Sequence, residues 1–258
     1  MREEIILAKT FIAWGDVHIP NHNEVAVNTL LKVHKAIQPN YSVCMGDLFD
    51  CSQFSAHAPT YGGKETLFCE DLNYANRLID SVQDTVKERT VVLGGNHEYR
   101  IERWAAASKE GRAVYNMVCP RINLSRNRSK FTYISYGGNN GSYPHYKLGS
   151  RIICVHGWSY AKNATATHLT IAQGKSVLHG HTHRAQHEIR QNIWGKGSNT
   201  GMSTGCLSEK IPTYGTGTPV EWVNGFVIGY IGKTSDTMYF VPIDDDGRCV
   251  LPDGREFV

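Results

Sequence analysis

Residues 90–98 read Thr-Val-Val-Leu-Gly-Gly-Asn-His-Glu, an apolar run followed by two glycines and then by polar side chains. The β-branched and aliphatic residues predict a buried strand, and the glycines allow a sharp turn where the chain leaves it. Amide oxygen, imidazole and carboxylate are acceptable ligands for divalent metal ions. This stretch therefore predicts a strand of an α/β sheet and part of a metal site at its carboxyl end.

Segments of the same kind occur elsewhere in the chain, each at or just past an apolar run. They are Asp16-Val17-His18, Gly46-Asp47-Leu48-Phe49-Asp50, Val155-His156-Gly157 and Gly180-His181-Thr182-His183. The carboxyl ends of strands in an α/β fold converge on one rim, where ligands bind. Together the segments supply enough carboxylate, amide and imidazole groups for two metal ions, and we expect them to form one site.

The first hundred residues alternate between strand and helix patterns. Strands are predicted at 11–14, 41–45 and 90–93, and helices at 24–37 and about 71–87. This alternation predicts a largely parallel sheet with crossover helices. Further strands are predicted at 151–155 and 176–178, with a helix at 160–173 between them.

The character of the chain changes after residue 188, where Gly, Thr, Tyr and Trp dominate and no helix pattern remains. Residues 222–231 and 237–243 are predicted strands. We expect this last part of the chain to build a second sheet that faces the first.

The chain has 258 residues, 41% of them hydrophobic and 20% charged, which suits a single domain spanning 1–258. The net charge of +3 is too weak to indicate nucleic-acid binding by itself. No signal peptide or membrane span is predicted. The seven cysteines contain no Cys-x-x-Cys pair, which favours a reducing compartment. We therefore expect a cytoplasmic protein, in the host cytoplasm if it is phage-encoded.

The ordered set Asp-x-His, Gly-Asp-x-x-Asp, Gly-Asn-His-Glu, His-Gly and Gly-His-Thr-His resembles the calcineurin-like metallophosphoesterases. The motifs span residues 16–183, and the chain is similar to the small stand-alone members of bacteria and bacteriophages. The resemblance implies a four-layer α-β-β-α sandwich, in which two packed mixed β-sheets have helices outside. The pattern of strands and helices agrees with that architecture.

The resemblance also implies roles for individual residues. The ligands of the first metal ion would be Asp16, His18 and His183. Those of the second would be Asn96, His156 and His181, and Asp47 would bridge both ions. His97 would face the substrate without binding metal, and Asp50 would orient it by a hydrogen bond.

The implied cofactors are two divalent metal ions. A ligand set of nitrogen and oxygen without Cys suits Mn, Fe, Zn or Ni, and Mn is expected because relatives often work with it. A hydroxide shared by the two ions would attack phosphorus in line with the leaving oxygen, and His97 would protonate that oxygen or stabilise the phosphoryl group. The expected enzyme is a metal-dependent phosphoric ester hydrolase.

The substrate is less sharply indicated. An insertion is predicted at about 99–136, where basic residues alternate with aromatic ones, a composition that suits phosphates and stacked bases. Arg100, Arg126 and Arg128 are its candidate substrate-binding residues. Asp50 precedes Cys51, whereas Ser/Thr protein phosphatases carry Arg there, which argues against that activity.

We therefore expect a phosphodiesterase acting on a nucleotide or nucleic acid. A phosphomonoesterase, such as a nucleotidase or a phosphatase of a small metabolite, is the alternative. A catalytically silent binding protein would keep the fold without the chemistry. The oligomeric state stays open.

Overall fold

A computed structural model describes residues 7–55, 66–125, 127–138, 143–191, 193, 197–210 and 220–258. Most of the strands form two mixed sheets. The strands of the first sheet are, in spatial order, β11 (Asp236–Pro242), β10 (Gly225–Ile231), β1 (Lys9–Trp14), β2 (Tyr41–Cys44), β3 (Arg89–Leu93) and β4 (Phe131–Ile134). Neighbours from β1 to β4 are parallel, whereas β10 and β11 run antiparallel to their neighbours.

The second sheet is also mixed. Its strands are, in spatial order, β5 (Tyr146–Leu148), β6 (Ile152–Val155), β7 (Ser176–His179), β9 (Ser198–Ser203) and β8 (His187–Gln191). The three inner strands are parallel, and both outer strands are antiparallel to their neighbours. A small hairpin of β12 (Cys249–Val250) and β13 (Glu256–Phe257) is not hydrogen-bonded into either sheet.

The helices connect neighbouring parallel strands within each sheet. They are α1 (Glu24–Ile37), α2 (Phe68–Gln83), α3 (Tyr99–Ala107), α4 (Lys109–Val118), α5 (Pro120–Asn123) and α6 (Ala164–Ile171). The predicted bounds of α1 are confirmed, and its start is fixed by Asn23, whose Oδ1 accepts the N–H of Ala26 at 3.0 Å. The other predicted helices occur with shifted ends.

Alternation along the strands explains the layers. Ile12 and Trp14 of β1 point into a core shared with α1 and α2, whereas Phe11 and Ala13 point into a core shared with the second sheet. The outer face of that sheet packs Val155 and Val177 against Leu169 of α6. Helices therefore cover the two packed sheets on both outer faces, and the predicted four-layer α-β-β-α sandwich is confirmed.

Two details differ from the expectations. The strands β10 and β11 belong to the first sheet, where β10 pairs with β1, and the second sheet is built instead from 146–203. The run Gly225–Gly229 is buried throughout, as a central strand with a core on each face requires. Residues 131–134, within the predicted insertion, form β4 beside β3.

Among the described residues, no helix is both long and apolar enough to cross a membrane.

Candidate metal centre

The candidate ligands lie where the parallel strands of both sheets end. Asp16 follows β1, Asp47 follows β2, Asn96 follows β3, His156 follows β6 and His181 follows β7. The backbone turns abruptly at these ends, and five ligand positions have positive φ: Asp16, His18, Asp47, His181 and His183. This conformation is costly for non-glycine residues and tends to be kept at functional sites.

Two glycines make room for the ligands. Gly46 has φ +108°, and a Cβ there would lie 2.4 Å from Nδ1 of His156. A Cβ on Gly95 would lie 2.0 Å from Oδ1 of Asp47. Gly46 is therefore needed for the positive φ of the turn that follows β2. Gly95 is needed for a different reason, because the Asp47 carboxylate lies where a side chain at position 95 would be.

The first cluster combines Asp16, His18 and His183, whose ligand atoms lie within 4.8 Å of one another. Nε2 of His18 is 3.1 Å from Nε2 of His183, and the latter atom is 3.4 Å from Oδ1 of Asp16. Burial acts to raise the pKa of Asp16, but His183 outweighs it and lowers that pKa. The cluster therefore presents an ionised carboxylate and two imidazoles.

The second cluster combines Asp47, His156 and His181, with Asn96 beside it. Nε2 of His156 lies 3.1 Å from Nδ1 of His181, 3.0 Å from Oδ1 of Asn96 and 3.3 Å from Oδ2 of Asp47. Nδ1 of His156 donates to the carbonyl of Met45 at 2.9 Å, which turns Nε2 toward the cluster. All four side chains thus aim ligand atoms at one small volume.

Asp47 joins the two clusters. Its Oδ2 is 3.3 Å from Nε2 of His156 and 3.7 Å from Nε2 of His18. Burial acts to raise the pKa of Asp47, but His156 and His97 outweigh it and hold that pKa well below its usual range. Burial conversely acts to lower the pKa of His156, yet Asp47 and Asp16 raise it to about 9. The buried carboxylates thus strongly stabilise positive charge placed beside them.

The donor set fits two divalent cations. Each cluster pairs a carboxylate with two imidazole nitrogens 3.1 Å apart, and borderline divalent cations accept ligands of both kinds. The carboxylates of Asp16 and Asp47 are buried. Buried carboxylates need a paired positive charge, which a cation between these ligands would supply.

His97 lies at the edge of the clusters and is held by Asp50. Its Nδ1 donates to the Asp50 carbonyl at 2.8 Å and lies 3.1 Å from Oδ1 of the same residue. Nη2 of Arg100 lies 3.3 Å from Nε2 of His97, and Nη1 donates to the Asp50 carbonyl at 2.8 Å. The structure thus brings His97, Asp50 and Arg100 together beside the candidate ligands.

Glu98 is a residue of the site whose role the sequence did not indicate. Its buried carboxylate accepts the N–H groups of Gly95 at 2.6 Å, Asp47 at 3.2 Å and Phe49 at 2.8 Å. Burial and the nearby Asp47 carboxylate raise the pKa of Glu98 to about 7. One side chain therefore ties the loop after β2 to the loop after β3.

Of the other predicted substrate residues, Arg128 is not brought to this place. Arg128 precedes β4, a strand parallel to β3, so it lies toward the end of the sheet opposite Asn96. Its Nη1 donates to the carbonyl of Arg121 at 2.9 Å. Arg126 lies outside the described residues.

Aromatic side chains border the clusters instead. Tyr136 is 5.8 Å from His156, Tyr160 is 4.0 Å from His181 and Trp222 is 4.2 Å from His183, measured between ring centroids. Tyr160 and Trp222 come from loops that sequence patterns alone did not single out.

The family model described as calcineurin-like phosphoesterase matches residues 9–185. Vacuolar protein sorting 29 from Cryptosporidium parvum is 13% identical, with a TM-score of 0.51 over 93% of this chain and 94% of that one. Vps29 from Chaetomium thermophilum is 12% identical, with a TM-score of 0.50 over 92% and 93%. The phosphoesterase YfcE from E. coli is 13% identical, with a TM-score of 0.42 over 96% and 97%. No curated protein sequence matches the chain.

The fold and the two His–carboxylate clusters define a metallophosphoesterase type of protein. Because the family model covers more than half of its length, the chain belongs to the calcineurin-like phosphoesterase family.

Proposed function

We propose that this protein is a phosphodiesterase that uses two divalent metal ions, Mn by preference, to hydrolyse a nucleotide or nucleic-acid substrate. The observation that carries the proposal is the position of Asp47, whose Oδ2 lies within 3.7 Å of imidazole nitrogens from both clusters. A shared carboxylate is what a dinuclear centre requires. Asp16, His18 and His183 would hold one ion, and Asn96, His156 and His181 the other.

When bound, two such ions supply Lewis-acid polarisation of the phosphoryl oxygens and an acidified water. The protein contributes a proton donor. Burial acts to lower the pKa of His97, but Asp47 and Asp50 outweigh it and raise that pKa. With Nδ1 bonded to Asp50, Nε2 is the atom that donates a proton to the leaving oxygen.

Arg100 couples substrate binding to that proton. Nη2 of Arg100 lies 3.3 Å from Nε2 of His97, and its positive charge acts to lower the pKa of His97. A phosphate that pairs with Arg100 offsets that charge and so favours the protonated form of His97.

The experiment compares hydrolysis of p-nitrophenyl phosphate and bis-p-nitrophenyl phosphate by the Mn-loaded protein, in wild type, His97→Ala and His187→Ala. His187, an exposed histidine on β8, is the matched control. Diester turnover that falls about 10²–10⁴-fold in His97→Ala only, with unchanged metal content, is expected.

Preferential monoester turnover would replace the proposal with a phosphomonoesterase. No turnover of either ester by a protein shown to hold its metals would favour a binding role.

A further inference from the structure

An exposed tyrosine lies beside the second cluster, and the same loop carries a second exposed aromatic side chain. Tyr160 is 69% exposed although its ring centroid lies 4.0 Å from that of His181. Trp158 is 39% exposed, and its ring centroid lies 6.1 Å from that of Tyr143, which is 79% exposed. Side chains so exposed add little to the core, and neighbouring exposed aromatics mark binding surfaces.

The loop that carries these rings is held in place. Residues 156–163 connect β6 to α6, and the N–H of Trp158 donates to Nε2 of His168 on α6 at 3.2 Å. Nδ1 of His168 donates in turn to the carbonyl of Ala164 at 2.7 Å. The Trp158 ring also packs edge-on against His168, with centroids 4.5 Å apart. The loop that carries Tyr160 is thus anchored to α6, which lowers the entropic cost of binding a partner on that loop.

A guanidinium and aromatic rings border the site together. Arg100 contacts His97 beside Asp50, Tyr160 contacts His181, and Tyr136 meets His156 edge-on at a centroid distance of 5.8 Å. A phosphate at the metal centre would thus have both a guanidinium and aromatic rings near it. The substrate group that these aromatic side chains would bind most favourably is a flat ring. A nucleobase is such a ring, and any base can stack on an aromatic side chain.

We propose that Tyr160, with Tyr136, forms a stacking platform for the nucleobase of a substrate whose phosphate binds at the candidate metal centre. The platform determines specificity for nucleotides over other phosphate esters. This inference rests on the proposed function, since it places the substrate phosphate at the two clusters.

The test measures binding and not turnover. Isothermal titration calorimetry of the Mn-loaded protein compares two probes, the phosphonate analogues of AMP and of ribose 5-phosphate, in which a methylene group replaces the ester oxygen. The two probes share the ribose and the phosphonate and differ at C1′, which carries adenine in one and a hydroxyl group in the other. The wild type is expected to bind the AMP analogue about tenfold more tightly, within the range for stacking of one base.

The variants locate the preference. Tyr160→Ala is expected to bring the ratio of the two dissociation constants close to one, whereas Tyr160→Phe keeps it because the ring face remains. Tyr239→Ala, which removes a tyrosine of 43% exposure on β11, is the matched control and keeps the ratio. The inference is overturned if the wild type binds both probes equally, or if Tyr160→Ala retains the full preference.

Hydrolysis of bis-p-nitrophenyl phosphate separates this inference from the proposed function. Ester turnover without base preference overturns the stacking platform alone. Base preference without turnover of any ester supports the platform and overturns the phosphodiesterase.

Discussion

Oδ1 of Asp50 lies 3.4 Å from Nδ1 of His18, and the same oxygen lies 3.1 Å from Nδ1 of His97. One carboxylate thus serves a candidate metal ligand and the candidate proton donor. Burial acts to raise the pKa of Asp50, but His18 and His97 outweigh it and lower that pKa, so the group is ionised at neutral pH. Asp50 therefore orients both rings, whereas the sequence predicted its action on His97 alone.

Replacing Asp50 with Asn should impair two properties together. Loss of the carboxylate beside His18 is expected to weaken Mn binding about 10–100-fold, as for other partners of metal ligands, and the freed His97 should lower kcat. His97→Ala should lower kcat with unchanged Mn affinity. Calorimetric Mn titration and kcat for both variants provide the check. Wild-type Mn affinity in Asp50→Asn would show that His18 does not depend on this carboxylate.

Arg100→Ala is expected to raise KM for a phosphodiester by roughly tenfold or more, the usual cost of a charged hydrogen bond. Arg128→Ala is the matched control, and its KM should stay at the wild-type value because Arg128 lies away from the site. Since Arg100 acts to lower the pKa of His97, its removal should also move the alkaline limb of the kcat/KM profile to higher pH. Equal effects of the two substitutions would contradict the placement of Arg100 at the substrate.

Glu98→Gln should destabilise the fold and disturb the metal site. Glutamine offers one acceptor oxygen and sets an NH₂ group against backbone N–H donors, so the expected loss is about 1–3 kcal/mol of unfolding free energy. Mn affinity should fall as well, because the Asp47 backbone loses its anchor. Denaturant unfolding and Mn titration measure both effects. Glu256→Gln, at an exposed glutamate on β13, should change neither, and a Glu98→Gln variant as stable as this control would refute the anchoring role.

The strand ends could be predicted from the sequence because their signal is local. An apolar run followed by Gly-Asn-His or Gly-Asp marks the end of a strand, and the convergence of parallel strands then places Asp47 near Asn96 without further information. The alternation in β1 likewise determines which side chains face each core. These features need no knowledge of which distant segments meet.

Features that depend on distant pairing could not be predicted. The pattern of 225–231 identifies a strand but not its neighbour, so its place beside β1 followed only from the structure. Tyr160 contacts His181 because the loop after β6 packs against α6. The spacing of apolar residues in the sequence does not predict the path of that loop. The sequence could not place Arg128 relative to the site, because strand direction decides which end of β4 it occupies.

His34 of α1 lies fully buried beneath the first sheet, in a network that the sequence did not indicate. Its Nδ1 donates to the carbonyl of Leu30 at 3.0 Å, and its Nε2 lies 3.0 Å from Oγ of Ser42. Nε1 of Trp14 donates to the same Oγ at 2.9 Å, so the Ser42 hydroxyl donates to a neutral imidazole. Burial lowers the pKa of His34 to about 4.

The low pKa of His34 predicts how stability depends on pH. The unfolded chain takes up a proton near pH 6.5, whereas the folded protein does so only near pH 4, so the unfolding free energy falls as the pH drops through this window. His34 alone should remove roughly 2–3 kcal/mol between pH 7.5 and 4.5. Urea unfolding of wild type, His34→Gln and the exposed control His187→Gln at both pH values, with chelator present throughout, measures this term. His34→Gln should show a pH dependence smaller by that amount, and a loss identical to that of the control would mean that another group carries it.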